Sequence, residues 1–301
     1  MKHLLKMSDL SKIEIIEILN LADQLKYELK HKIPHKHLEG KTLGMIFQKS
    51  STRTRVSFET GMYQLGGNAL FLSSRDLQIG RGEPVEDTAR VLSRYLDGIM
   101  IRTFEQKEVE SLAEYGNIPI INGLTDYCHP CQVLTDLMTI REYKGQFDGL
   151  KMTFIGDGNN MANSLIVGGL TVGMEVSVAC PEGYHPDKTV LEFAEKYGDK
   201  FTLTDSPVEA AQNSDVIFTD VWASMGQEEE AEQRRKAFKG YCIDDSIIAA
   251  AHRDAIVQHC LPAHRGEEIT AKVFEEHADE IFEEAENRLH AQKAVMVKLM
   301  K

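Results

Sequence analysis

The segment Ser51-Thr52-Arg53-Thr54-Arg55 concentrates hydroxyl and guanidinium groups in a short stretch of chain. It lies between a predicted strand at 41–48 and a predicted helix at 56–67. Free N–H groups at the start of a helix bind anions, and an arginine side chain can pair with phosphate through two parallel hydrogen bonds. The segment therefore indicates either an anion-binding loop or a capped helix with solvated arginines. It lacks the G-x-x-x-x-G-K spacing of a P-loop.

A second turn, Gly156-Asp157-Gly158-Asn159-Asn160-Met161, follows a predicted strand and opens a predicted helix. It is a weak match to the dinucleotide-binding fingerprint, because Met161 stands where the third glycine belongs. The two adjacent asparagines supply amide donors and acceptors that would suit a zwitterionic ligand. The alternative is a tight turn with an asparagine helix cap.

Asp220 follows a predicted strand that ends at Thr219. A carboxylate at the end of a strand in a doubly wound domain points toward the ligand cleft, where it could hold an ammonium group. The alternative role is to cap the acidic helix predicted from about Gln227.

His259-Cys260-Leu261-Pro262 closes another predicted strand. Cys260 could be a reactive thiol if a neighbouring cation lowers its pKa. The nearby histidines raise a zinc hypothesis. Strand alternation, however, predicts that His259 and Cys260 lie on opposite faces, which argues against a shared metal.

Cys128-His129-Pro130-Cys131 has the spacing of a redox motif, but it does not lie near the first βαβ unit, where a thioredoxin-like motif would be expected. The cysteine pair is therefore interpreted as structural or accidental. His129 and Gln132, at the start of a predicted helix, are the polar candidates of this segment.

Composition limits the classes of function. The chain has 301 residues, and 34 Lys+Arg against 47 Asp+Glu give a net charge of −13. This balance argues against nucleic acid as a partner, which requires a basic face. No apolar run reaches the roughly 18 residues of a membrane span, so no membrane association is expected. The five scattered cysteines do not form a disulfide framework, which favours a reducing cytoplasm.

Strand and helix patterns alternate in both halves of the chain, which predicts an α/β protein with two doubly wound parallel-sheet domains. The expected domains are 1–144 and 145–283, joined by a linker at 144–149. Ligands are then expected at the carboxyl ends of the strands, in the cleft between the halves. The first helix is predicted to begin at Ser8 or Asp9. Its predicted apolar stripe consists of Ile13, Ile16, Leu19 and Leu21.

With these elements in order, the chain resembles the ornithine branch of the aspartate/ornithine carbamoyltransferase superfamily over nearly its whole length. The motifs that carry the resemblance occur in the family's order along the chain. They are Ser51–Arg55, Arg102, His129–Gln132, Asp220 with Ser224-Met225-Gly226, and His259–Pro262.

The resemblance implies carbamoyl transfer from carbamoyl phosphate to L-ornithine, giving L-citrulline and phosphate, in arginine metabolism. The residues that it assigns to carbamoyl phosphate are Ser51, Thr52, Arg53, Thr54, Gln78, Arg102, His129, Gln132, Cys260, Leu261 and Arg288. Gln78 would come from a neighbouring subunit, which implies a homotrimer with shared active sites. Arg288 implies that a C-terminal helix at 284–301 packs on the first domain.

The same resemblance assigns Asn160 to the α-carboxylate of ornithine, and Asp220, Ser224 and Met225 to its α-ammonium end. Cys260 would position the side-chain amine for direct attack through a tetrahedral intermediate. The implied catalytic residues are Arg102, His129, Asp220 and Cys260. Neither a metal nor another cofactor is implied.

Three alternatives stay open from the sequence. One is a carbamoyltransferase that uses putrescine, an acylated ornithine or aspartate. Another is a nicotinamide-dependent dehydrogenase built on residues 151–182, against which Met161 argues. A third is a catalytically silent protein that binds carbamoyl phosphate.

Overall fold

The computed structural model describes residues 1–223 and 230–301, apart from the side chains of residues 80 and 81. Contacts divide the chain into two units. Unit 1 contains Met1–Thr135 and Arg288–Lys301, and unit 2 contains Asp136–Asn287. The division falls between Thr135 and Asp136, inside the helix Pro130–Lys144, whereas the sequence predicts a boundary after residue 144.

Unit 1 is built on a parallel sheet in the order β2-β1-β3-β4. Its strands are β1 (Thr42–Phe47), β2 (Asn68–Ser73), β3 (Gly98–Arg102) and β4 (Ile120–Leu124). Its helices are α1 (Lys12–Lys30), α2 (Thr52–Gln64), α3 (Val85–Leu92) and α4 (Gln106–Tyr115), followed by α5 (Pro130–Lys144), in which the units divide. The chain winds outward in both directions from the β1–β3 pair, which makes the ends of these strands the expected ligand position.

Unit 2 has a five-stranded parallel sheet in the order β7-β6-β5-β8-β9. The strands are β5 (Lys151–Ile155), β6 (Glu175–Ala179), β7 (Phe201–Thr204), β8 (Val216–Thr219) and β9 (Ile256–His259). The helices are α6 (Asn160–Val172), α7 (Lys188–Ala194), α8 (Pro207–Ala211), α9 (Ala231–Ala237), α10 (Asp245–Ala250) and α11 (Ala271–Glu276). The last helix, α12 (Ala278–Met300), begins in unit 2 and belongs to unit 1 from Arg288 onward. Strand order reverses at the β5–β8 pair. The predicted pair of parallel-sheet α/β domains is confirmed.

Both sheets are covered on both faces, so several strands have no polar side. Every residue of β3, β8 and β9 is buried. This is the pattern of parallel strands between helical layers. Ile46, Ile99 and Ile101 belong to the core of unit 1, whereas Ile155, Ile217 and Val257 belong to that of unit 2. Among the described residues, no helix is long and apolar enough to cross a membrane.

The predicted start of the first helix is wrong. Met7–Asp9 forms a separate 3₁₀ turn, and α1 begins at Lys12 with Ser11 as its cap. Ser11 Oγ accepts from Glu14 N at 3.3 Å, and the Glu14 carboxylate accepts from Ser11 N at 2.9 Å. This reciprocal capping box sets the helical register. The buried face is therefore Ile15, Ile18, Leu19, Ala22 and Leu25, and Ile13 is 71% exposed.

Candidate active site

The polar segment after β1 forms the first turn of α2. The helix begins at Thr52, not at the predicted Val56, because Ser51 caps it. Ser51 Oγ accepts from Thr54 N at 3.2 Å and donates to Thr54 Oγ1 at 3.0 Å. The two interpretations of this segment are therefore compatible: a capped helix start also presents hydroxyls and N–H groups suited to an anion.

Arg288 brings the end of the chain to this helix start. Its Nη2 donates to Thr54 Oγ1 at 3.0 Å, and its Nη1 donates to Gln132 Oε1 at 2.8 Å. Arg288, Thr54 and Gln132 are all buried. The structure thus gathers three of the predicted phosphate-site residues within unit 1, from α2, α5 and α12.

His129 lies buried beside a group of arginines in the same unit. Burial holds the pKa of His129 well below its usual value, and Arg288, Arg102 and Arg53 lower it further. Arg102 is the last residue of β3 and is itself buried. The imidazole is therefore neutral at physiological pH, and three cations lie within electrostatic reach of it. This concentrates positive charge in a chain whose net charge is −13.

The cysteines on either side of His129 are packing residues. Burial raises the pKa of both Cys128 and Cys131 to about 12. Cys128 Sγ donates to Leu5 O at 3.4 Å, and Cys131 Sγ donates to Asn122 O at 3.3 Å. Both thiols are free. Thiols of such high pKa are poor nucleophiles for disulfide exchange, which agrees with the structural interpretation of this pair.

Gln78 begins a 3₁₀ turn after β2 and is exposed. Its described hydrogen bonds are those of its backbone carbonyl, which accepts from Gly82 N and Glu83 N. The cluster of Ser51, Thr54, Gln132 and Arg288 forms without this side chain.

In unit 2, three strand ends converge on Asp220. Asn159, after β5, donates from Nδ2 to Asp220 Oδ2 at 3.0 Å. Cys260, after β9, donates from Sγ to Asp220 Oδ1 at 3.2 Å. Val221 N also donates to Oδ1 at 2.8 Å. Asp220 is only 7% exposed, and it lies at the reversal point of the sheet. A buried carboxylate in this position suits a cationic ligand group.

Cys260 is a neutral thiol in this setting. Burial raises its pKa well above the usual value, and the nearby carboxylates of Asp220 and Glu284 raise it further. A reactive thiolate would need a neighbouring cation, whereas these neighbours are anions. The structure therefore supports a thiol that donates a hydrogen bond rather than one that attacks.

His259 organises the turn that carries Cys260. Its Nδ1 accepts from Leu261 N at 2.9 Å, and its Nε2 lies 3.1 Å from Glu268 Oε1. Leu261 has a positive φ of 56°, which these contacts hold in place. Sequence reasoning missed Glu268, because it lies in a loop with an ordinary surface-like composition.

The argument that strand alternation separates His259 from Cys260 is wrong. Ligand-type atoms of Asp220, His259 and Cys260 all lie within 4.8 Å of one another. β9 ends at His259, so alternation no longer governs where the next side chain points. Each of the three side chains already takes part in a hydrogen bond within the protein.

The glycine turn after β5 is explained by protein packing. A Cβ at Gly158 would lie 2.3 Å from Pro186 N, so the neighbouring loop requires glycine there. Gly156 has a φ of 146°. Asn159 caps α6, with Oδ1 accepting from Met161 N at 2.9 Å and from Ala162 N at 3.2 Å. Asn160, the predicted carboxylate ligand, is the first residue of α6 and is half-buried.

Ser224 and Met225, which the resemblance assigned to ornithine, lie outside the described residues, as does the expected helix start near Gln227.

Two domain models of one protein family together match most of the chain. Residues 2–142 match the model of the carbamoyl-P binding domain of aspartate/ornithine carbamoyltransferase. Residues 148–299 match the model of the Asp/Orn binding domain of the same family. The chain belongs to the aspartate/ornithine carbamoyltransferase family.

Relatives of this carbamoyltransferase cover its full length. It is 54% identical to an ornithine carbamoyltransferase of Geobacter metallireducens over 100% of this chain and 99% of that protein. A solved ornithine carbamoyltransferase structure from Pyrococcus furiosus superposes with a TM-score of 0.94 and is 51% identical, covering 99% and 97% of the two chains. The anabolic enzyme structure from Campylobacter jejuni has a TM-score of 0.93 and 46% identity, covering 99% of each chain.

Proposed function

We propose that this chain transfers the carbamoyl group of carbamoyl phosphate to the side-chain amine of L-ornithine, giving L-citrulline and phosphate. The observation that carries the proposal is the gathering of Arg53, Arg102 and Arg288 around a neutral His129 in unit 1. Arg102 and Arg288 are buried in an otherwise acidic chain, which favours the binding of a small anion beside them.

Carbamoyl phosphate binds in unit 1. Its phosphate accepts hydrogen bonds from the first turn of α2, that is from Ser51, Thr52, Arg53 and Thr54. Arg288 adds a second guanidinium from α12. Because Ser51 and Thr54 are already ordered by the cap, the donors stand in place before the ligand arrives.

The carbamoyl group lies toward Arg102, His129 and Gln132. These groups polarise its carbonyl and stabilise the oxyanion of a tetrahedral intermediate. Because His129 is neutral, it contributes a hydrogen bond rather than a charge. The positive charge comes from the arginines, which keep it at every physiological pH.

Ornithine binds through unit 2. Asn160 holds its α-carboxylate, and Asp220, Ser224 and Met225 hold its α-ammonium end. A free alkylammonium has a pKa near 10.4, so the attacking amine must lose its proton in the site. Cys260, fixed beside Asp220, orients that amine, and Leu261 contacts carbamoyl phosphate. The neutral amine attacks the carbonyl carbon directly, the C–O bond to phosphate breaks, and the departing phosphate takes the proton that the amine loses. These steps use no metal and no other cofactor.

The enzyme works as a homotrimer in which Gln78 of each subunit completes the phosphate site of its neighbour. The exposure of Gln78 supports this, as does the apolar edge strand β2, where Leu70 and Phe71 are exposed. The five free thiols support a cytoplasmic location.

Citrulline formation tests the proposal. Purified enzyme is incubated in parallel reactions with carbamoyl phosphate and one acceptor each: ornithine, putrescine, N-acetylornithine or aspartate. Turnover with ornithine alone is the expected result. Turnover with another amine and none with ornithine would keep carbamoyl transfer and overturn the assignment of Asp220.

A further inference from the structure

In unit 2, two separate sets of hydrogen bonds connect the turn after β5 with the chain segment after β8. Asn159 is hydrogen-bonded to Asp220 at 3.0 Å, at the site itself. Two residues before Asn159, Asp157 Oδ2 accepts from Arg234 Nη1 at 2.7 Å. The same Nη1 donates to the carbonyl of Trp222, two residues after Asp220, at 2.9 Å. Arg234 thus forms a second bridge between the turn after β5 and the chain after β8.

The guanidinium of Arg234 is held from three sides. Its Nε donates to Glu230 Oε2 at 3.1 Å, and its guanidinium carbon lies 5.2 Å from the centre of the Tyr184 ring. Tyr184 in turn accepts at its carbonyl from Gly158 N at 2.8 Å. Arg234 and Asp157 are each only 7% exposed. A buried planar cation with fixed partners is a rigid connector, which a flexible lysine would not reproduce.

We propose that Arg234 and Asp157 form a positioning pair for the amino-acid subsite, fixing the distance between Asn159–Asn160 and Asp220. The proposal rests on the proposed function, because ornithine is the ligand that those residues receive. Neither member of the pair touches substrate in this scheme. Loss of the pair shifts Asn159–Asn160 relative to Asp220. A displacement of about an ångström between such groups lowers the catalytic efficiency of an enzyme strongly.

Asp157 gives the pair a signature in pH. Burial raises its pKa to about 6. The neighbouring carboxylates of Asp220 and Glu230 also raise this pKa, whereas Arg234 lowers it. The ion pair is complete above this pH. Below it, Asp157 is protonated and the charge pair is lost. Wild-type enzyme at low pH should therefore resemble an enzyme in which Asp157 has been replaced by asparagine.

The test compares D157N, R234Q and wild type for KM of ornithine, kcat and carbamoyl-phosphate affinity. At pH 8 both variants should raise KM about tenfold or more, with kcat and carbamoyl-phosphate affinity changed less than about threefold. The double variant should be little worse than either single variant, because the pair acts as a unit. R235Q is the matched control. Arg235 lies on the same helix but pairs with Glu267 at 3.0 Å on the exposed surface.

The KM of D157N for ornithine, divided by that of wild type, is the measurement that decides the proposal. It should fall from about tenfold at pH 8 toward one at pH 5, because wild type loses the same charge. The titration of ornithine cancels in this ratio. A ratio that stays constant with pH, or an unchanged KM in R234Q, would overturn the positioning pair alone. Absence of citrulline from wild type would overturn the proposed function, and this inference with it.

Discussion

Cys260 Sγ donates a hydrogen bond to Asp220 Oδ1 at 3.2 Å, across the ends of two neighbouring strands. The contact pairs a thiol with a carboxylate. The carboxylate oxygen accepts the hydrogen bond, and burial together with this neighbour raises the pKa of the thiol, which keeps its proton. An ammonium ligand that reaches Asp220 therefore meets a carboxylate and a neutral sulfur.

Cys260 should accordingly resist alkylation. Its rate of reaction with iodoacetamide, followed by mass spectrometry, should rise steadily with pH up to about 9 without levelling off, because the thiolate stays rare. D220N, which removes the nearby negative charge, should react faster at pH 8. A rate that levels off below pH 8 in wild type would contradict the neutral thiol.

Replacing Asp220 by alanine should weaken ornithine capture selectively. Loss of a buried charge-assisted partner costs about 2–5 kcal/mol, so KM should rise on the order of 30-fold or more. Carbamoyl-phosphate affinity, measured by calorimetry, should stay within about twofold, because the residues proposed to bind it lie mostly in unit 1. Equal loss of both ligands would point to a general structural defect.

Arg53→Ala should weaken carbamoyl-phosphate binding while leaving the fold intact. Hydrogen bonds to charged groups contribute about 1.5–3 kcal/mol, which corresponds to roughly 10- to 100-fold in affinity. Arg90→Ala is the control, because Arg90 pairs with Asp87 at 3.2 Å on an exposed face of α3. Retained affinity in the Arg53 variant would refute the phosphate-site assignment.

Lys293 should make folding stability depend on alkaline pH. It is fully buried, with Nζ 2.7 Å from His35 Nε2 and 3.0 Å from Gln64 Oε1, and burial lowers its pKa to about 8. Between about pH 8 and the unfolded pKa near 10.4, the folded state binds fewer protons than the unfolded state. Stability should therefore rise through this window, by up to about 3 kcal/mol.

Urea unfolding at pH 7.5, 8.5 and 9.5 measures this effect as the difference between wild type and Lys293→Met. Lys298→Met supplies the comparison, because Lys298 pairs with Glu17 at the surface. A difference that does not change with pH would show that Lys293 does not titrate in this range.

Sequence patterns predicted the sheets and the strand-end residues well, because parallel strands place their carboxyl ends at one edge. That Asn159, Asp220 and Cys260 meet follows from this rule once β5, β8 and β9 are neighbours. The first helix was misplaced because Ser8, Asp9 and Ser11 are all acceptable caps by type. Only the reciprocal contact with Glu14 selects Ser11.

The buried charge pairs were beyond sequence reasoning. Asp157 and Arg234 are far apart in the chain, and each resembles a surface residue by type. The same holds for His35 with Lys293, which joins the two ends of the chain. Such pairings depend on where separate helices come to rest, and no local pattern encodes that position. No strong sequence periodicity marks the short helices α10 and α11 either, since helices of this length depend mainly on tertiary packing.

The assembly of unit 1 from Met1–Thr135 and Arg288–Lys301 has a consequence for protein synthesis. A ribosome makes the first turn of α2 more than 200 residues before it reaches Arg288 and Lys293. Domains generally fold as units while the chain is still emerging, with the N-terminal one first. Here unit 1 cannot be completed until its segment Arg288–Lys301 has been made. A nascent chain that has not reached residue 288 therefore lacks the guanidinium that contacts Thr54 and Gln132.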